Sequence, residues 1–128
     1  MKKYLIALCC LFSFLIISNA QVPSARMKAI HMAAVRIADH IGVQDSVREE
    51  FIKMYQSFKK ESAVVMSSTP SETGSTEDDI EAKIYSDFEK SEKILSLRKE
   101  YYEKFRTLLS PSQIQAMYDM EKEFNARR

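Results

Sequence analysis

His31 and His40 are the only two histidines of this chain, and histidine is the side chain best suited to bind a metal or move a proton near neutral pH. Nine residues apart on one helix, they would fall on nearly the same side but about 13 Å apart along the axis. They cannot share one ion. A metal site would need Asp39, Glu49 or a second subunit to complete it, whereas ordinary surface or partly buried imidazoles account for both residues without a ligand. The other candidates for chemistry are no more suggestive. Serines are plentiful, but none sits in a nucleophile elbow or in a Ser-His-Asp order at informative spacing, and no glycine-rich phosphate loop is present. The adjacent carboxylates Glu49-Glu50 and Asp78-Asp79 suit the first turns of helices, where negative charge is favoured. The sequence therefore argues against an enzyme and implies no cofactor.

Methionine offers a different kind of chemistry, because flexible thioethers adapt to varied apolar partners. Apart from Met1 the chain has Met27, Met32, Met54, Met66, Met117 and Met120. Met27, Met54 and Met117 fall in apolar helical stripes and read first as core. Met32, Met66 and Met120 are freer, and with Lys53 and Lys59 they are the candidates for a surface that holds a protein client. Lys60, Lys99, Lys104 and Arg106 add positive charge, although a solvated face is the default for each lysine and arginine here.

Residues 1–20 have the pattern of a secretory signal peptide. Lys2 and Lys3 supply the positive start, Leu5 to Ile17 the apolar run, and Ser18-Asn19-Ala20 the small residues that cleavage requires. The run is too short for a comfortable membrane span. Cys9 and Cys10 raise a lipoprotein reading, against which Leu8 stands where a small residue belongs. Cleavage after Ala20 removes two lysines, both cysteines and no acidic residue, so the formal charge moves from +1 to −1. Such a near-neutral chain does not ask for nucleic acid. What remains, residues 21–128, is one small domain without disulfides, which must be held by helix packing, a metal or a partner subunit.

The prolines and glycines punctuate four apolar-periodic segments without entering any of them, which predicts an all-α protein. Met27, Ile30, Ala34, Ile37 and Ile41 stripe the first, which Gly42 closes in the left-handed position past a helix end. The second starts near Asp45, carries Val47, Phe51, Met54 and Phe58, and fades around Ala63 to Met66. Residues 67–75 read as a solvated linker. The third runs from the acidic cluster at Glu77 to Leu109, with a narrow stripe of Ile80, Ile84 and Phe88 in its first half and a wide apolar arc in its second. A narrow stripe serves one neighbour and a wide one serves two. The fourth, from Ser112 to about Phe124, carries Ile114, Met117, Tyr118 and Met120.

The corner before that fourth segment is written out in full. Ser110 is a cap for the first free N–H groups, Pro111 suits the first helical position, and Gln113 can reach back to the cap residue's own N–H. Leu109 and Ile114 occupy the two positions of a hydrophobic staple. A faint repeat at an offset of 66 residues matches Val43 to Leu109, Phe51 to Met117, Met54 to Met120 and Phe58 to Phe124. The earlier copy of the corner, Val43, Gln44, Asp45 and Val47, keeps the apolar anchors and lacks the capping pair.

Leu109-Ser110-Pro111-Ser112-Gln113 resembles the Leu-Thr-x-x-Gln signature of small periplasmic proteins related to Spy and CpxP, a family that includes heavy-metal sensors. Ser110 replaces Thr, a mild change. The resemblance covers most of the mature chain in layout and only this motif in detail. The segments themselves predict an elongated, antiparallel, hairpin-like arrangement of four helices with a long third one, met by the second and fourth through their related stripes, and the resemblance implies a homodimer. It further implies a periplasmic ATP-independent chaperone or envelope-stress adaptor that binds unfolded clients. The alternative it leaves open is a metal- or stress-sensing regulator of an envelope signalling protein. After cleavage no stable membrane insertion is expected.

Overall fold

A computed structural model of the chain describes residues 24–67 and 74–127. The signal-peptide reading of residues 1–20, with Cys9 and Cys10, and the middle of the expected linker lie outside the described residues. The rest is all-α: α1 Ser24–Ile41, α2 Asp45–Ser67, α3 Glu77–Phe105 and α4 Pro111–Ala126, with α3 the longest and no strand among the described residues.

Helix α1 buries Ile30, Ala34, Ile37 and Ala38, a stripe at helical spacing. It stops at Gly42, whose φ of +71° places it in the left-handed region that favours glycine. The Val43 N–H then donates to the Ala38 carbonyl at 3.0 Å, the six-to-one bond of a Schellman ending. That bond turns Val43 into the core, where it is buried.

Helix α2 begins at once, at Asp45, and buries Phe51, Tyr55 and Phe58. It folds back along α1, tied at its edge by Arg48 to Asp39 at 2.6 Å and by Gln56 to the His31 ring at 3.0 Å. Helix α3 opens on a capping box of its own, Thr76 with Asp79. Its second half runs antiparallel to α2: Phe51 meets Phe105 at 5.9 Å between ring centres, and Phe58 meets Tyr101 at 5.2 Å. Burying a phenylalanine as fully as Phe51 or Phe105 stabilises by about 1.5–3 kcal/mol. This aromatic cluster is the centre of the core.

Three differences from the sequence expectation concern α3 and α4. Helix α3 ends at Phe105 rather than Leu109, because residues 106–109 wind into a tight turn, with the Leu108 and Leu109 N–H groups both bonded to the Phe105 carbonyl at 2.9 Å. The turn delivers Leu109 inward, where it is buried. Helix α4 lies against α1, burying Ile114 and Met117, and reaches α3 through Arg98, whose guanidinium stands 5.0 Å over the Tyr118 ring. Finally, the first half of α3 buries nothing: only Tyr101 and Phe105 of this helix are fully enclosed.

Candidate functional site

The second corner forms as a complete capping box. Ser110 takes extended angles, φ −74° and ψ 159°; its hydroxyl accepts from the Gln113 N–H at 3.3 Å, and its own N–H donates to Gln113 Oε1 at 2.9 Å. Pro111 holds the first helical position, and Leu109 and Ile114 are both buried. Gln113 also does something local pattern does not contain. Its Nε2 donates to the carbonyls of Ile41 and Gly42, each at 3.2 Å. The second corner is therefore bonded to the first, where Val43 is buried, Gln44 and Asp45 are exposed, and Val47 is half-buried with its N–H on the Gln44 carbonyl at 3.1 Å. The two corners that the repeat relates by sequence sit together in space.

His31 and His40 are both exposed on α1, His31 against Gln56 and His40 in the last turn. Among the described residues no three histidine, cysteine or carboxylate side chains converge as metal ligands. Lys53 pairs with Glu49 on its own helix at 3.2 Å. Lys59 turns inward to Glu121 of α4 at 3.6 Å, and Glu121 Oε1 is buried without a hydrogen bond. Tyr55 lies beside this carboxylate, and burial, then the negative charge of Glu121, pushes its hydroxyl well above the ordinary phenol range. Met32 and Met66 are exposed, while Met120 is half-buried against the core.

Several large apolar side chains lie on the surface. Ile80, Ile84, Tyr85, Phe88 and Leu95 on α3, with Val64 and Met66 at the end of α2, are 43–64% exposed. Tyr85 and Phe88 meet edge to face at 6.3 Å and are both largely exposed. Ile80, Ile84, Phe88 and Leu95 recur at intervals of four, four and seven, one continuous helix face. A groove of about 410 Å³ between Met66, Ile94 and Leu95, edged by Asp87 and Arg98, continues the strip toward the core. The narrow stripe was legible as a contact face; that it stays exposed was not.

A second cavity, of about 360 Å³, opens between the outer ends of α1 and α4, over Tyr55 and Lys59 of α2. Sequence reasoning passed over it. Its signal is the series Arg26, Ala29, Ala33, Arg36, spaced three, four and three along one face of α1, small in the middle and basic at both ends.

No family model, curated protein or solved structure matches this chain. The described residues define an all-α protein with four helices, the long third of which carries an exposed apolar face. No helix among the described residues is long and apolar enough to cross a membrane.

Proposed function

We propose that the chain is a periplasmic, ATP-independent chaperone or envelope-stress adaptor of the Spy and CpxP kind, acting as a homodimer by binding rather than by catalysis. The observation that carries this reading is the uncovered strip from Ile80 to Leu95, extended by Val64 and Met66. An exposed apolar face on this scale marks a surface that binds something. The strip is interleaved with charge, Lys83 paired to Asp87 and Lys93 to Glu89, so an apolar segment can dock without the surface losing its solubility. The motif at Leu109 and the export pattern of residues 1–20 support the same assignment by resemblance.

The test is light scattering from an aggregating client with purified residues 21–128 and no nucleotide. Suppression at a ratio of about one dimer per client, weakened by Ile84→Ser and Phe88→Ser at unchanged melting temperature, is the expected outcome. A strict monomer that leaves aggregation untouched overturns the reading.

A further inference from the structure

We infer that the cavity between the outer ends of α1 and α4 binds an anionic amphiphile, a single acyl chain of medium length ending in a carboxylate. This goes beyond the proposed function and does not depend on it. Helices α1 and α4 are held together at one end by Gln113 on the Ile41 and Gly42 carbonyls. Toward the other end the α1 wall includes Ala29 and Ala33, and alanines are too short to fill the space in front of Phe124. The result is a cavity of about 360 Å³, at the small end of the range for ligand pockets.

The chemistry of the walls selects the occupant. Ile30, Met32 and Phe124 give an apolar lining suited to a hydrocarbon chain. Arg26 and Arg36 stand at the two ends, ten residues and so about 15 Å apart along α1. Neither is ion-paired among the described residues, whereas the third cation of the lining, Lys59, is already engaged by Glu121. The cavity is thus edged by two exposed guanidinium groups without an ion-pair partner among the described residues, and guanidinium matches a carboxylate with two parallel hydrogen bonds. Standing about 15 Å apart, they give one carboxylate two alternative seats, so the head group pairs with one of them and the other stays in water; a neutral chain would pair with neither, and a small anion without a tail would leave the apolar wall wet.

Titration calorimetry on residues 21–128 with octanoate, decanoate and laurate, each below its micelle concentration, tests the assignment against decanol as the neutral control. One site per chain is expected, with affinity rising about fourfold for each added methylene until the cavity is full. The double variant Arg26→Gln, Arg36→Gln, whose side chains are exposed, should weaken decanoate about tenfold or more and leave decanol unchanged. Ala29→Phe, at an exposed position of the cavity wall, should block both. The assignment is overturned by affinity independent of chain length, by equal binding of decanol and decanoate, by indifference to the arginine variants, or by no saturable binding at all.

Discussion

The side-chain nitrogen of Gln113 lies 3.2 Å from the carbonyl oxygen of Gly42, 71 residues earlier in the chain. The same side chain completes the cap of α4 through its oxygen, so one residue both starts a helix and fastens it to the end of another. The two roles can be separated. Ser110→Ala removes the cap and should cost about 1 kcal/mol. Gln113→Ala removes cap and tie together and should cost about 2 kcal/mol. Gln113→Glu keeps the acceptor for the Ser110 N–H but sets a carboxylate against two carbonyls. Its deficit should shrink as the pH falls below about 4, where a protonated Glu donates again. Denaturant melts at two pH values read this, and a deficit independent of pH would refute the tie.

Gly42 isolates a backbone effect. A side chain added there meets nothing within 4 Å, so the only penalty is the left-handed conformation. Gly42→Ala should cost about 1 kcal/mol, a fall of about 4–8 °C in melting temperature for a domain of this size. An unchanged melting temperature would mean that the corner relaxes without it.

Phe105 and Phe88, on the same helix, should respond in opposite ways. Phe105 is fully buried among Phe51, Phe58 and Tyr101, and its replacement by Ala should cost about 3–5 kcal/mol. Phe88 is 58% exposed, so Phe88→Ala should change stability by no more than about 0.5 kcal/mol while reducing client protection. Thermal melts set beside aggregation assays separate the two.

High pH should unfold the domain through its tyrosines. Burial, reinforced by Glu121 at Tyr55 and by Glu61 at Tyr101, raises both hydroxyls, and burial raises Tyr118 as well. A raised folded pKa means that the stability is fully present below the unfolded value, about 10, and is lost as the pH climbs above it. Phenolate absorbance and helical circular dichroism should therefore change together above about pH 10. Tyr55→Phe should shift that transition upward.

Much of this architecture was written locally. Ser110, Gln113, Leu109 and Ile114 act within six consecutive positions, so the corner could be read from the residues alone. Gly42 was equally plain, because a single glycine after an apolar stripe has few other uses. The tie from Gln113 to Ile41 and Gly42 was not legible, since which helices become neighbours depends on packing that no window of sequence contains. For the same reason α4 was expected on α3 and lies on α1. Glu121 belongs to no pattern in the sequence. Only the fold places it over Tyr55 and Lys59.

The bare first half of α3 has an energetic consequence. From Glu77 to about Glu89 the helix is supported by its capping box and by charge pairs within the helix, and none of its side chains there is buried. Local pairs are worth only about 0.2–0.5 kcal/mol each. Helix α3 is thus continuous in geometry and divided in free energy, its far end opening at a small fraction of the cost that releases Tyr101 and Phe105. Amide exchange should rise steeply along a single unbroken helix, and whatever covers that face would slow exchange there first.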